Sequence, residues 1–272
     1  MIEKIVLNNK FFQKKYFGQI FLKNTNVINN IISSIYPKKN DLLFEIGPGL
    51  GALTIPMCGF INKLNVIDID NDVINFFKKK NIYNKLNFYL KNVLHFDFLK
   101  FYLKNNKKSI RIFGNLPYNI STKLLIYLTN NHFIFQDLHL MFQKEVSKRI
   151  LAHPNTKFYG RLSIISQYFF NINKIFDISK NCFFPIPKVN STFLKFIPHK
   201  LFPNLLFDVN ILSKITFEAF NKRRKILRHS LKKFFTEKDL FNLDINSQLR
   251  PENLSVKQYC LLTDFLIKKQ LY

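Results

Sequence analysis

At 272 residues, with hydrophobic residues at 47%, the chain has room for one large domain and one small one and ample material for a core. Lys and Arg number 42 against 17 Asp and Glu, a formal charge of +25 whose self-repulsion calls for a polyanion, so nucleic acid is the expected partner and a membrane surface the weaker alternative. No apolar run reaches the roughly 18 residues of a spanning helix, and the N-terminus lacks the pattern of a signal peptide. Cys58, Cys182 and Cys260 are far apart and odd in number, which suggests reduced thiols and a cytoplasmic location rather than disulfides or zinc.

Residues 1–17 are basic and aromatic (Lys10, Phe11, Phe12, Lys14, Lys15, Tyr16), which suits an arm touching RNA or a frayed terminus equally. Residues 18–22 follow, and Thr25 is placed to cap a helix through Ile35. Leu42–Ile46 reads as a buried first strand that runs straight into Gly47-Pro48-Gly49-Leu50-Gly51 and then a helix over 52–57. The chain has only 7 glycines, and three of them fall in these five residues. A strand-to-helix turn without Cβ atoms lets a ligand lie against the backbone, so Gly47 and Gly49 are binding candidates. The spacing is Gly-x-Gly-x-Gly, not that of a pyrophosphate-binding loop.

The second strand, 64–70, ends on two acids. An acid about 20 residues past such a turn is placed for a ribose diol; Asp68 is the first choice, and Asp70 the second or a helix cap. A third strand over Leu86–Leu90 leads to Asn92, placed to bond an adenine edge, with Asp97 as competitor. A fourth, 110–113, stops at Gly114-Asn115-Leu116-Pro117-Tyr118, a tight loop where open α/β sheets bind ligands.

That loop offers an amide, a free carbonyl and an aromatic face. The Asn115 side-chain oxygen and the Leu116 carbonyl, with the backbone fixed by Pro117, can accept both N–H bonds of an exocyclic amine on a flat base. Holding both frees the nitrogen lone pair from the ring. Tyr118 can stack on the base for ~1–3 kcal/mol. No general base is needed before attack, because the proton leaves after the carbon arrives.

A fifth strand spans 137–143, then helices follow over 144–151 and from Tyr159-Gly160-Arg161 to 170. The segment 183–189 is a rigid loop of aromatics and prolines, and 191–197 a last apolar strand. A boundary near 198–200 divides the chain into domains 1–200 and 201–272. The tail reads as helices only. From 217 to 235 apolar residues recur at helical spacing while Lys222, Arg223, Arg224, Lys225, Arg228, Lys232 and Lys233 fill the other faces, which points to nucleic acid. The 32 Phe residues and absent Trp fit AT-rich codon use, so most Phe are read as core. The six His residues are scattered, and no metal site is expected.

These residues resemble the bacterial ribosomal RNA adenine dimethyltransferase family. The resemblance is carried by Phe17-Gly18-Gln19-Ile20-Phe21-Leu22, Glu45-Ile46-Gly47-Pro48-Gly49-Leu50-Gly51, Phe113-Gly114-Asn115-Leu116-Pro117-Tyr118-Asn119-Ile120-Ser121, Gln143-Lys144-Glu145-Val146, Tyr159-Gly160-Arg161-Leu162-Ser163, Pro187-Lys188-Val189 and Phe220-Asn221-Lys222-Arg223-Arg224-Lys225. It implies an α/β Rossmann-like class I methyltransferase sheet with a small all-helical C-terminal domain. It implies S-adenosylmethionine as donor and two adjacent adenosines, in a hairpin loop near the 3′ end of small-subunit rRNA, as substrate. Cofactor contacts are implied at Ile20, Leu22, Gly47, Asp68, Asn92 and Asn115. Phe183 matches a family aromatic near the target base, where with Tyr118 it would sandwich the ring. The RNA candidates are Phe183, Lys188, Lys222, Arg223, Arg224, Lys225 and Arg228, and a monomer is expected.

Three departures stand out: Ile20 for a usual Asn, Asn92 for Asp and Asp68 for Glu. They predict a weaker hold on the cofactor than in a typical member, not lost activity. A DNA adenine methyltransferase would more often show Pro-Pro-Tyr and would lack the basic tail; a large-subunit relative fits 183–189 and 221–225 less well. Intact Gly47, Gly49, Asn115 and Tyr118 disfavour a binding-only factor, and the glycine spacing disfavours a nicotinamide oxidoreductase.

Overall fold

A computed structural model describes residues 19–199 and 208–271. The basic arm over 1–17, the Phe17-Gly18 pair and the boundary residue Lys200 lie outside the described residues. Two compact units emerge: one takes 1–147 with 172–198, the other 148–171 with 199–272.

The first unit is built on a seven-stranded sheet. Its strands in chain order are β2 (Leu42–Ile46), β3 (Leu64–Asp68), β4 (Leu86–Leu90), β5 (Ile110–Gly114), β6 (Phe135–Gln143), β7 (Phe170–Ile178) and β9 (Ser191–Pro198). Their order across the sheet is β4-β3-β2-β5-β6-β9-β7. Strands β4 to β6 pair in parallel, as expected of apolar runs such as Leu-Leu-Phe-Glu-Ile that are buried on both faces. Strand β9 runs antiparallel to β6, so Ser191, where β9 begins, lies opposite Gln143, where β6 ends.

After β2 the chain builds outward through β3 and β4, then crosses to β5 on the other side of β2. The carboxyl ends of β2 and β5 therefore flank the point where strand order reverses, and a ligand crevice forms at such a point. Gly114 keeps these two strands close. A Cβ there would sit 2.5 Å from the Ile46 carbonyl oxygen.

At the opposite end of β5, Arg111 is buried and spends its guanidinium on the protein. It holds Asp137 with two bonds of 2.8 Å and Asp41 at 2.6 Å, and donates to the Ile35 carbonyl at 2.6 Å. This ties the end of α1 (Thr25–Ile35) to the sheet. The cap of α1 is Asn24, whose side chain accepts the Val27 N–H, one residue earlier than the sequence suggests.

A short ribbon pairs β1 (Phe21–Leu22) with β8 (Phe183–Phe184), antiparallel, with Leu22 opposite Phe183. Side chains alternate across a strand. Phe183 thus joins Leu22 in the hydrophobic core at 0% exposure, while Phe184 is only partly buried. This corrects the expectation that Phe183 reaches RNA.

The second unit consists of helices. It contains the end of α6 (Lys144–Ile150), then α7 (Arg161–Phe169), α8 (Val209–Asn221), α9 (Leu227–Ser230), α10 (Glu237–Asn242) and α11 (Val256–Leu271). Residues 148–169 belong here rather than with the sheet, which differs from a single cut at residue 200. The reason is packing: Tyr159 donates its hydroxyl to the Leu254 carbonyl at 2.9 Å, and Phe220 lies between Tyr159 and Tyr259. The expected helix over 217–235 is broken. Helix α8 stops at Asn221, and the Lys222-Arg223-Arg224-Lys225 run occupies the turn before α9.

Candidate active site

A cleft of about 420 Å³ opens at the carboxyl ends of the strands. Its wall includes Ile20 and Leu22 from β1 and its approach, Gly47 and Gly49 from the turn after β2, Asp68 at the end of β3, and Asn92 after β4. It also includes Asn115, Leu116, Pro117 and Tyr118 after β5. Apart from Ile20 and Leu22 on the β1 ribbon, these residues meet because each ends or follows a parallel strand.

The glycine turn is built for close approach. Gly47 and Gly49 have φ of +70° and +53°, and a Cβ on Gly49 would come within 3.1 Å of the Phe21 ring. The helix after it, α2 (Thr54–Met57), starts later than the sequence suggests.

Asp68 accepts the Asp70 N–H at 2.8 Å while facing the cleft wall. Asp70 is buried and caps α3 (Asn71–Lys78), accepting the Asp72 N–H, so the second acid has the capping role. Asn92 caps a single turn over 93–95: its amide oxygen accepts the Leu94 N–H at 3.0 Å. One of the lone pairs expected to serve an adenine amine is therefore already used. Asp97 caps α4 (Phe98–Lys104).

Asn115 is oriented by a residue far away in sequence. Its amide nitrogen donates to the Ile20 carbonyl at 3.0 Å, which leaves the amide oxygen as the acceptor. This bond uses the backbone of position 20, so an isoleucine there does the same work as any residue. The Leu116 carbonyl accepts no hydrogen bond from the described residues. Tyr118 is the first residue of α5 (Tyr118–Thr129), and its hydroxyl shares a 2.8 Å hydrogen bond with that of Ser191. Burial raises the phenol above its ordinary value, against the opposing effect of that bond, so it stays neutral.

Glu45, which the sequence shows only as part of a motif, lines the cleft at 2% exposure, and one of its carboxyl oxygens has no hydrogen-bond partner. Burial raises its pKa to about 8. The signal is in the sequence: an acid near the end of an otherwise apolar strand has to face something.

The basic candidates divide in two. Lys188, Lys222, Arg224 and Lys225 are exposed. Arg223 instead pairs with Glu252 at 2.6 Å and donates to the Lys157 carbonyl at 2.9 Å. Arg228 is half-buried, with Glu237 3.8 Å away.

A family model described as "Ribosomal RNA adenine dimethylase" matches residues 10–268. The chain belongs to the ribosomal RNA adenine dimethylase family. It is 51% identical over 260 residues to the "Ribosomal RNA small subunit methyltransferase A" of Buchnera aphidicola subsp. Acyrthosiphon pisum, covering 96% of this chain and 95% of that one. It is 44% identical to the protein of the same name from Wigglesworthia glossinidia brevipalpis, over 94% and 98% of the two chains. A dimethyladenosine transferase from Plasmodium falciparum has the same fold, with a TM-score of 0.75 at 27% identity over 92% and 98% of the chains. The 23S rRNA methyltransferase ErmE shares the fold at 17% identity, with a TM-score of 0.65 over 91% and 99%. The Rossmann-like class I sheet and helical C-terminal region are thus those of an rRNA adenine dimethylase.

Proposed function

We propose that this dimethylase transfers methyl groups from S-adenosylmethionine to the N6 amines of two adjacent adenosines in a hairpin loop near the 3′ end of small-subunit rRNA. The product is N6-dimethyladenosine, and the role is in small-subunit assembly, in the cytoplasm, by a monomer.

The cleft fits the donor. The turn at Gly47 and Gly49 leaves room that a Cβ would take. The unpartnered buried oxygen of Glu45 suits a positively charged group, and Asp68 suits a diol. Bound there, the donor supplies a methyl carbon on a sulfur cation; attack by the adenine nitrogen forms the N–C bond while the C–S electron pair leaves with sulfur.

The chain's own part is positioning. The Asn115 amide oxygen and the Leu116 carbonyl accept the two amine N–H bonds, and Tyr118 fixes the plane of the base. The adenosine must leave its stack to reach them. Holding two reactants in line accounts for a large share of such a barrier without covalent chemistry by the protein. The surplus proton leaves after the carbon arrives.

The observation that carries this reading is the bond from Asn115 to the Ile20 carbonyl, which fixes the amide oxygen as an acceptor on the wall of the glycine-lined cleft. The test is incubation with labelled methyl donor and under-methylated small subunits, with the label mapped by nucleoside. Label in N6-dimethyladenosine supports it; label in any other nucleoside ends it.

A further inference from the structure

We propose that Ser191 is a positioning residue for the second methyl transfer to each adenine, acting through the hydroxyl of Tyr118. This deepens the reading of the cleft given above and rests on it.

Ser191 is fully buried at the start of β9 and is not part of the cleft wall. Its hydroxyl lies 2.8 Å from the Tyr118 hydroxyl. Tyr118 is fixed at its backbone end by opening α5, so Ser191 holds the far end of the ring. A ring held at both ends has one tilt, and a base stacked on it inherits that tilt.

The two transfers do not need this equally. A primary amine offers two N–H bonds, one to the Asn115 oxygen and one to the Leu116 carbonyl. After the first transfer the nitrogen carries one methyl and one hydrogen, so one of the two acceptors loses its partner. The base is then oriented by a single hydrogen bond and by its stack on Tyr118. In the second step the nitrogen lone pair attacks a new methyl carbon, the C–S pair again leaves with sulfur, and the last N–H proton goes to solvent. With one hydrogen bond gone, alignment at this step leans on the stack more than in the first.

The experiment follows mono- and dimethyladenosine over time on under-methylated small subunits, with donor affinity titrated in parallel. Ser191→Ala is expected to slow the second transfer about three- to tenfold, the range of one deleted hydrogen bond, and the first by less. Monomethyladenosine then accumulates while donor affinity is unchanged. Tyr118→Phe removes the same bond from the other side and is expected to match it. The double variant is expected to be no worse than Tyr118→Phe alone, since residues acting through one shared bond are not additive. Ser191→Thr keeps a hydroxyl and is expected to restore the wild-type ratio. A wild-type ratio in Ser191→Ala, or penalties that multiply in the double variant, overturns the proposal. Should Ser191→Ala not fold, a wild-type ratio in Tyr118→Phe overturns it equally. Failure of the unsubstituted chain to methylate adenosine is a different result and sinks the reading of the cleft itself.

Discussion

The Asn115 amide nitrogen donates to the Ile20 carbonyl across 3.0 Å, joining residues 95 positions apart. The bond does two things at once. It closes the wall of the cleft against the loop after β5, and it decides which end of the amide is an acceptor.

Replacing Asn115 therefore has a sharp expected outcome. Asn115→Ala removes the acceptor and is expected to lower methyl transfer by about 10²–10³-fold, as when one preorganised polar group at a reacting centre is removed. RNA binding, which we assign to the basic surface, should hardly change. Asn115→Asp keeps an acceptor but sets a carboxylate oxygen against the Ile20 carbonyl, and is expected to lose nearly as much. Transfer assays beside RNA gel shifts measure both; near-normal transfer in Asn115→Ala removes the role assigned to it.

The charge on Glu45 predicts a pH dependence. Its folded pKa, about 8, lies above the ordinary value of 4.5, mainly through burial, with Asp68 adding to the rise and Thr54 opposing it. The empty cleft thus favours the protonated acid: its stability contribution is full below the unfolded value and falls as pH rises toward 8. A cationic donor reverses the preference by pairing with the carboxylate, so binding releases a proton. Donor affinity is expected to rise from about pH 6 to about pH 8, within the window set by that shift. Calorimetry in buffers of different ionisation enthalpy measures the proton. Glu45→Gln should flatten the dependence; an unchanged slope in that variant contradicts the pairing.

Gly114 tests the frame rather than the chemistry. A Cβ 2.5 Å from the Ile46 carbonyl oxygen must push β5 from β2, because the atom it meets is backbone. Gly114→Ala is expected to cost about 1–3 kcal/mol by overpacking. It should also weaken donor binding, because those two strands carry the glycine turn and Asn115. Urea unfolding and donor titration are the measurements.

The basic turn between α8 and α9 separates two kinds of arginine. Substituting exposed Lys222, Arg224 or Lys225 by Ala is expected to weaken RNA binding and lower the salt slope by about one for each phosphate left unneutralised, with stability unchanged. Arg223→Ala instead breaks the Glu252 pair and the bond to Lys157, so its main effect is expected on stability. Salt-dependent binding curves together with thermal unfolding distinguish the two.

Much of the first unit is legible in the sequence because β2, β3, β4 and β5 are largely apolar runs that end in, or are soon followed by, Gly, Asp or Asn. That pattern locates the cleft wall nearly residue by residue, including Asp68, Asn92 and the loop from Asn115 to Tyr118. It does not carry the direction of side chains fixed by distant partners. Phe183 and Phe184 look alike in sequence; only pairing of β8 with a two-residue β1 turns one into the core and the other outward. Strand β7 escapes the pattern because Asn171, Asn173, Lys174 and Asp177 interrupt its apolar residues. In the tail, helical spacing runs on through 222–226, but four adjacent like charges and the anchoring of Arg223 favour a turn there.

The reversal of β9 against β6 has a wider meaning. Parallel strands deliver only their last residues to the rim of the cleft, whereas β9, being reversed, sets its first residue beside the end of β6, just behind the Tyr118 hydroxyl. The segment over 185–190, with Lys188 exposed, is thereby spliced in just ahead of the serine that steadies the tyrosine. With Lys188 proposed to meet RNA, exchanging that segment between relatives is expected to change RNA binding while the strands and the glycine turn stay in place.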